Sequence, residues 1–423
     1  MTAAILALNA RTFASLRRHR NYRLYFAGQV ISLSGTWMQQ IALAWLVIQL
    51  THSPVAVGLL AFARFIPFTI FSLAAGVVAD RFDNRRVVML MQAASMVISV
   101  LLAALVLTGS TVLWAVYVLA ALGGIATVFD APNRHALTMQ MVGRDELPNA
   151  VALNASLFNT ARVAGPALGG LVIAAFGVGA CFALNAVSFL AVLGALLLMR
   201  KQELFPLERR EPPRLLTGMR QGLRYALRAP AIRLVLLMTM VVSTVGFNFH
   251  VLIPVLASKT LHVGAEVFGA LGASFGLGAL SGALVSATIG RASRKALLAG
   301  SAGFSLTLVA LAPLATVWAV AILLFLTGFF FIAWTSNSQS ILQLTAPDHL
   351  RGRVLSIYLF AFGGFAPLGG LLAGWLSDVG GTELAFLVAG LTCFAVTVYA
   401  AAAWPRPAAV APREEEAEQP LAA

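Results

Sequence analysis

The chain has 423 residues, of which 60% are hydrophobic and only 11% are charged. A soluble domain carries about 25% charged residues, so this composition excludes a fold whose whole surface faces water. The formal net charge of +13 comes from Arg and Lys residues clustered between apolar runs, without the aromatic and basic motifs of nucleic-acid binding. We therefore predict that the chain's partner is the lipid bilayer and that it has no nucleic-acid partner.

Apolar runs of membrane-spanning length recur along the whole chain. About 20 residues at 1.5 Å each cross a hydrocarbon core of about 30 Å. Twelve such runs, called span one to span twelve below, lie near residues 24–49, 55–79, 87–107, 112–131, 151–174, 180–199, 232–257, 266–289, 296–313, 317–341, 354–376 and 384–403. They predict an all-α membrane protein with twelve transmembrane helices.

The basic residues assign the two sides of the membrane. Arg and Lys accumulate in cytoplasmic connections, and with a cytoplasmic N-terminus all 29 of them obey this rule except Arg64, Arg162 and Lys259. No cleavage-site pattern precedes span one, so we expect no removable signal peptide. The pattern predicts a multi-pass protein of a bacterial-type plasma (inner) membrane, with both termini cytoplasmic.

A polar stretch divides the spans into six plus six. It holds Pro212 and Pro213, followed by an amphipathic segment with Arg220, Arg224 and Arg228, which suits a helix on the membrane surface. The predicted parts are a cytoplasmic segment (1–21), a six-helix bundle (22–199), a cytoplasmic linker (200–231), a second six-helix bundle (232–404) and a disordered cytoplasmic tail (405–423).

The two bundles share an internal repeat. Gly165–Gly170 in span five matches Ala366–Gly370 in span eleven, and Cys181–Ala183 in span six matches Cys393–Ala395 in span twelve. Such repeats are typical of transporters, whose substrate site lies between the repeats near the bilayer midplane. We therefore predict two pseudo-symmetric bundles with a small-molecule site between them.

Three segments resemble motifs of the major facilitator superfamily. Gly76–Arg86, after span two, is similar to its G-x-x-x-D-R-x-G-R-R loop, although Asp83 replaces the expected glycine. Gly165–Gly170 resembles the antiporter motif of its drug-efflux members, and Arg351–Ser356 resembles its entry to span eleven.

Within the superfamily, the chain resembles the siderophore-exporter and macrolide-efflux branch. The similar segments are Ser34–Gln40 and the stretch from Phe129 to Phe189, and the resemblance covers residues 16–404. It implies the major facilitator fold and drug:proton antiport, and we expect a monomer. Two departures bear on proton coupling: span four lacks the arginine of proton-coupled exporters, and residues 290–295 keep only the basic part of the loop motif.

The resemblance implies a gating latch, meaning contacts that hold the two bundles together on the cytoplasmic side. It places Asp80 opposite the start of span eleven, with Arg81, Arg85 and Arg86 beside it; the alternative is an ordinary basic loop. Asp130 and Arg134 stand at the i,i+4 spacing of an ion pair. Asp130 could carry the coupled proton, or it could pair with Arg81 or Arg134 as part of the latch.

A small-residue and proline motif marks the predicted helix bends. It comprises Gly165, Pro166, Gly169 and Gly170 in span five and Pro367 in span eleven. Small residues let helices approach closely, and proline frees a carbonyl and bends a helix. The alternative interpretation is tight packing without a functional bend.

Two arginines predict a central cavity. A charge in the middle of a span costs about 2.5–3.5 kcal/mol, so Arg64 and Arg162 should face a cavity or a partner. The other predicted lining residues are Gln29, Thr36, Trp37, Gln40, Asn154, Asn159, Asn248 and His250, with Phe65 and Phe247 as further members of an aromatic wall. For each polar residue the alternative is an interhelical hydrogen bond.

The sequence favours a proton-coupled exporter of amphipathic small molecules that works by alternating access. There is no nucleotide-binding loop, no catalytic or metal-binding cluster within the spans, and we expect neither a cofactor nor an enzymatic activity. The alternatives are uptake or lipid movement by the same fold, or a non-transporting sensor or accessory protein. The last would require a sizeable soluble domain, which the sequence lacks.

Overall fold

The computed structural model of the protein describes residues 12–206 and 215–405, with only the backbone described at 215–220 and at 349. Residues 1–11, the linker residues 207–214 and residues 406–423 of the predicted tail lie outside the described residues. Within the described ranges the secondary structure is helical and contains no β-strand.

The first six spans form long helices. Spans one, two, three and six are Arg20–Thr51, Pro54–Arg81, Asn84–Leu107 and Val178–Leu197. Spans four and five share one helical run, Leu113–Phe176, which turns at Gly143 with φ 72° and ψ −179°. The amide nitrogen of Asn154 lies 3.4 Å from the hydroxyl of Thr138, whereas 16 residues of straight helix would separate them by about 24 Å. The run therefore folds back on itself and crosses twice.

The last six spans include a broken helix. Spans eight, nine and ten are Ala265–Ile289, Arg294–Leu311 and Val317–Thr345. Span seven consists of helix Pro230–Val241, a π-helical turn Val242–Gly246, non-helical Phe247 and Asn248, helix Phe249–Val255 and a second π-helical turn Leu256–Thr260. Span eleven begins as Asp348–Gly363 and continues into the run Ala366–Ala403.

The run Ala366–Ala403 also crosses twice, because it reverses at Gly380 and at Gly381, where φ is 69°. Gly369 and Cys393, on either side of this turn, both contact the broken middle of span seven. Ten helical segments of the described chain are long and apolar enough to cross a membrane, and the turns at Gly143 and Gly380–Gly381 divide two of them. The predicted all-α fold with twelve spans in two bundles is therefore confirmed.

The bundle has two distinct ends. We call the end with the loop at residues 82–83 and the linker helix Leu215–Arg228 the basic end, and the end with the turns at residues 52–53 and 177 the opposite end. The linker helix packs on the start of span eleven, where Arg353 donates a 2.5 Å hydrogen bond to Gln221. Spans one to six form the first half of the molecule, and spans seven to twelve form the second.

Candidate functional site

Glycines bring spans two and eleven together near the opposite end. A Cβ atom built on Gly58 would lie 2.6 Å from the carbonyl oxygen of Gly370 and 3.2 Å from the Cα of Gly374. Gly374 in turn faces the carbonyl oxygen of Pro54. No side chain fits between these two backbones, so this seam joins the two halves at the closest distance that helices can reach.

Spans five and eight form a matching seam. A Cβ atom on Gly170 would lie 2.6 Å from the carbonyl oxygen of Ala265 and 2.8 Å from the Cα of Gly269. Gly269 also packs against the carbonyl of Pro166. Both seams join the first half to the second, and both require residues without a side chain.

The predicted bend motif of span five contacts two different spans. Pro166 and Gly170 contact span eight, whereas Gly165 and Gly169 contact span one at Ser34 and Met38. Each pair has i,i+4 spacing, which places its members on one side of a helix. The backbone remains helical through Pro166, so in this state the motif provides close packing against two different spans.

Span eleven, by contrast, is interrupted before Pro367. Helix Asp348–Gly363 ends and a new helix begins at Ala366, and the hydroxyl of Thr69 in span two donates a 2.8 Å hydrogen bond to the carbonyl of Gly364 at this break. Trp45 and Phe268, nearer the opposite end, stack across the halves with their ring centroids 5.1 Å apart. The halves are thus closed against each other at the opposite end.

Contacts between the halves are lost towards the basic end. A Cβ atom on Gly76, near the end of span two, would meet no atom within 4 Å. Asp80, one turn further, is exposed and forms no ion pair or hydrogen bond with any residue in the described ranges. The structure therefore represents a state that is open at the basic end, in which the predicted contact of Asp80 with span eleven is not made.

The arginines near Asp80 differ in their surroundings. Arg81 is exposed. Arg85 is only 8% exposed, and its Nε and Nη2 donate to the carbonyl of Leu196 at 2.8 and 2.6 Å, which joins span three to the end of span six. Arg86 lies 3.4 Å from Asp83, which caps span three by accepting from the backbone N–H of Arg86. Asp83 at the expected glycine position is therefore a helix cap.

Asp130 is held inside the first half. Its carboxylate is 3% exposed, pairs with Arg134 and accepts a 3.0 Å hydrogen bond from Gln92 of span three. The pair and its hydrogen bond to Gln92 tie span four to span three, about two turns inside the start of span three at Asn84. In this state Asp130 faces its own bundle and not the second half.

Arg64 and Arg162 have no polar partner among the residues that the structure describes. Neither forms an ion pair or a hydrogen bond with any described residue, although Arg162 is only 9% exposed and Arg64 is half-buried. The guanidinium of Arg162 lies 5.1 Å from the ring centroid of Phe275 in span eight. Arg64 lies 5.9 Å from the ring of Phe65. Two cations therefore stand deep in the bundle without a hydrogen-bond acceptor.

The break in span seven lies beside these arginines. The ring of His250 contacts Phe65 of span two at 5.0 Å, and Phe249 contacts Phe275 at 4.4 Å. Asn248, at the break, donates to the carbonyls of Thr244 and Val245 at 2.8 and 3.2 Å. Its Oδ1, the hydroxyl of Thr244 and Nε2 of His250 are buried without a partner among the described residues.

The remaining predicted lining residues fall into two groups. Gln29 is buried and donates to Tyr25 of its own helix at 3.0 Å. Asn154 accepts from Tyr22 at 3.2 Å, which joins span five to span one within the first half. Three others lie on partly exposed faces of spans one and five: Thr36 and Asn159 donate to carbonyls of their own helices, and Gln40 has no described partner. Trp37 packs edge-on against Phe158 at 5.5 Å.

Two features escaped sequence reasoning. One is an aromatic cluster drawn from four spans of the second half, in which Phe247 stacks on Phe331 at 4.3 Å and also meets Phe249, Phe275 and Phe362. The other is a polar network in which Gln39 accepts from Ser99 and Asn185, both at 2.6 Å. Of these residues the sequence singles out only Phe247, because the members come from separate spans and share no spacing.

Known proteins resemble the chain over nearly its whole length. It is 25% identical to a staphyloferrin A transporter of Staphylococcus aureus, over 89% of this chain and 94% of that protein. It is 27% identical to the multidrug efflux pump Tap of Mycolicibacterium fortuitum, over 87% of this chain and 91% of the pump. The crystal structure of a POT family transporter in complex with 5-aminolevulinic acid shares the fold with a TM-score of 0.73 at 13% identity, covering 91% of this chain and 96% of that chain.

The family assignment rests on a family match that covers both bundles. Residues 10–422 match the family described as transmembrane secretion effector. This range contains both halves, the two seams and the two arginines. The relatives are transporters of the major facilitator superfamily and not enzymes. The chain therefore belongs to the transmembrane secretion effector family of the major facilitator superfamily, and it is a multi-pass membrane transporter.

Proposed function

We propose that the protein exports amphipathic small molecules across a bacterial inner membrane by alternating access, in exchange for protons. The observation that carries this proposal is the asymmetry of the interface between the halves. Glycine seams close one end of the molecule, while the other end lacks contacts at Gly76 and Asp80. Two rigid halves joined at one end can exchange the closed end for the open one by rocking around a central site.

The position of the basic end is compatible with export. Basic residues favour the cytoplasm, so we place this end inside, where the open state would admit a substrate from the cytoplasm or the inner leaflet. Some relatives are named as efflux proteins, which supports export. A proton that moves down a potential of 100 mV supplies about 2.3 kcal/mol, enough for an approximately fifty-fold concentration.

The latch would act in the other state. When the basic end closes, Asp80 would approach the start of span eleven, where a helix N-terminus attracts a carboxylate. Arg351, at this start, lies 2.6 Å from Asp348 in the open state. Asp80 is exposed in the open state, so it is available for a contact that forms only on closure. Asp130 supports this movement by keeping spans three and four together.

Transport into inverted membrane vesicles tests the proposal. Three fluorescent amphiphiles share one scaffold and differ in charge: 6-(dansylamino)hexanoate, 6-(dansylamino)hexanamide and dansylcadaverine. Vesicles containing the protein should accumulate at least one of them when their lumen is acidified, above vesicles without the protein. An uncoupler should abolish the accumulation, since it dissipates the proton gradient.

Seam variants provide the matched controls. Gly269→Leu should stop accumulation because a side chain cannot fit against Pro166 and Gly170. Gly194→Ala, at a glycine with no atom within 4 Å of a new Cβ, should transport like the wild type. Accumulation that persists with the uncoupler contradicts proton exchange, and no accumulation of any of the three compounds contradicts export of this class of substrate.

A further inference from the structure

We infer that the transported molecule carries an anionic group, and that Arg64 and Arg162 bind this group from two sides beside the break in span seven. The inference rests on the proposed function only in taking the space between the halves as the substrate site. It goes further by assigning the charge of the substrate and the residues that recognise it.

The first argument is the absence of any other partner for the two cations. A guanidinium has five N–H donors and no acceptor, and a charge away from water requires pairing or hydrogen bonds. Arg162 is only 9% exposed, and its contact with Phe275 is a cation–π interaction that satisfies none of its donors. Neither Arg162 nor Arg64 has an acceptor among the described residues, and none of their nitrogens is among the fully buried atoms that lack a partner. Both guanidiniums are therefore open to an acceptor that a ligand brings into the space between the halves.

The second argument is that no described carboxylate competes for this position. All acidic residues of the described ranges except Asp130 lie at the ends of spans or in connections: Asp80, Asp83, Asp145, Glu146, Glu203, Glu266, Asp348, Asp378 and Glu383. Asp130 lies deeper, within the run Leu113–Phe176, and is already bound to Arg134 and Gln92. The centre of the bundle thus has positive charge without an internal counter-ion.

The third argument is depth. Arg64 lies ten residues from the start of span two at Pro54, about 15 Å from the opposite end, and Arg162 lies 14 residues before Phe176, at about 21 Å. Both are therefore near the middle of a hydrocarbon core of about 30 Å. Transporters of this architecture bind their substrates at this level.

The fourth argument is convergence on one segment of span seven. Phe65, adjacent to Arg64, contacts His250, and Phe275, in contact with Arg162, packs on Phe249. Arg64 comes from the first half through span two, and Arg162 comes from the same half through span five. An anion between them would lie against the adjoining residues Phe249 and His250 of the second half.

The aromatic surroundings define the rest of the ligand. Phe65, Phe247, Phe249 and Phe275 offer ring faces and edges, which accept an apolar or aromatic body. A carboxylate suits the two guanidiniums because its oxygens accept paired N–H donors. The ligand class is therefore an amphiphile with a carboxylate or a comparable anionic group at one end.

Equilibrium binding tests the inference without any gradient. The protein is placed in phosphatidylcholine nanodiscs, whose lipids have no net charge, and titrated with the three dansyl compounds while dansyl fluorescence is followed against empty nanodiscs. We expect the hexanoate to bind at least tenfold more tightly than the hexanamide, with dansylcadaverine the weakest. Arg64→Gln and Arg162→Gln should each reduce the preference for hexanoate to less than threefold.

Three controls separate charge recognition from loss of folding. Hexanamide affinity should remain within about twofold in both glutamine variants, which shows that the site still exists. Arg64→Lys and Arg162→Lys should keep part of the preference, because lysine keeps the charge but loses the bidentate fork. Arg224→Gln, at an exposed arginine of the linker helix, should keep all of it.

The inference is overturned if the wild type binds hexanoate no more tightly than hexanamide, or if the preference survives in both glutamine variants. If the wild type shows no preference for hexanoate but transports in the vesicle assay, the anion site alone is rejected. If the wild type prefers hexanoate and both glutamine variants lose this preference, but the wild type shows no proton-driven accumulation, the export proposal alone is rejected. Displacement of the hexanoate by dioctanoyl phosphatidylglycerol, but not by dioctanoyl phosphatidylcholine, would identify the anion as a lipid headgroup; no displacement would identify it as a soluble acid.

Discussion

The hydroxyl of Thr69 in span two donates a 2.8 Å hydrogen bond to the carbonyl oxygen of Gly364 in span eleven. Within residues 12–206 and 215–405, it is the one hydrogen bond that links a span of the first half to a span of the second. The acceptor is available because the helix is interrupted between Gly363 and Ala366, next to Pro367. This bond lies between the seam of spans two and eleven and the open basic end.

The opening at the basic end can be followed by a single distance. Spin labels on Gly76→Cys and Gly352→Cys occupy positions where a new Cβ meets no atom within 4 Å, one on each half near the basic end. The native cysteines, Cys181 and Cys393, are buried and can be replaced by alanine. Double electron–electron resonance then reports the separation of these two labels, which we call the basic-end distance.

Thr69→Val should shift the molecule away from the open state. Valine has the shape of threonine without the hydroxyl, and a hydrogen bond of this kind contributes about 0.5–1.5 kcal/mol. We expect the ratio of the long to the short basic-end distance to fall about fivefold. Thr127→Val is the matched control, because Thr127 is exposed and donates to Gly123 of its own helix; an equal shift in this variant would contradict a specific role for Thr69.

Gly170→Ala should weaken the closed opposite end. The new methyl group would lie 2.6 Å from the carbonyl oxygen of Ala265, and overpacking of this kind costs about 1–3 kcal/mol. Spans five and eight must then separate, so the short basic-end distance should gain at least fivefold. Gly194→Ala adds the same methyl group in open space and should leave the distribution unchanged. An unchanged distribution in Gly170→Ala would show that the seam does not hold the open state.

Asp80→Asn should affect only the state that the structure does not show. Asp80 has no described partner when the basic end is open. Its replacement should therefore leave the melting temperature of the protein unchanged. A carboxylate near a helix N-terminus contributes about 0.3–1 kcal/mol, and its loss should lower the population with the short distance. Asp378→Asn, an exposed carboxylate near the opposite end, should not. Lower thermal stability in Asp80→Asn without a population change would contradict the latch.

Asp130→Asn should destabilise the first half. The change leaves Arg134 without its counter-ion, and loss of one member of a buried ion pair costs about 3–5 kcal/mol. We expect the low end of this range, because the Arg134 side chain is 29% exposed. The measurement is thermal unfolding followed by tryptophan fluorescence, and Asp130→Asn combined with Arg134→Met should recover part of the loss. A double variant less stable than Asp130→Asn alone would show that the pair is not the source.

The twelve spans could be predicted because length and apolar content alone determine what can cross a bilayer. Arg64 and Arg162 could be identified because a charge within an apolar run is conspicuous in the sequence. The orientation of each helix about its own axis could not be predicted. Gln29 lies on the same helical stripe as Thr36 and Gln40, yet it is buried and bonded to Tyr25 of its own helix, whereas the other two are partly exposed. Which way a polar stripe faces depends on neighbouring helices that are far away in sequence.

The span-five motif shows the same limit. Its sequence indicates small residues and close packing, but it does not reveal that Gly165 and Gly169 face span one while Pro166 and Gly170 face span eight. The aromatic cluster around Phe247 was likewise hidden, because its rings come from spans seven, eight, ten and eleven. Tertiary arrangement, and not local sequence, decides these contacts.

The basic-end distance of the wild-type chain in nanodiscs tests the account most directly. Alternating access predicts two populations: a long distance that matches the open basic end and a short one in which Asp80 has reached span eleven. It also predicts that Gly170→Ala increases the short population and that Asp80→Asn decreases it. A single distance that remains the same in the wild type and in both variants would contradict the rocking of two halves around the arginine site.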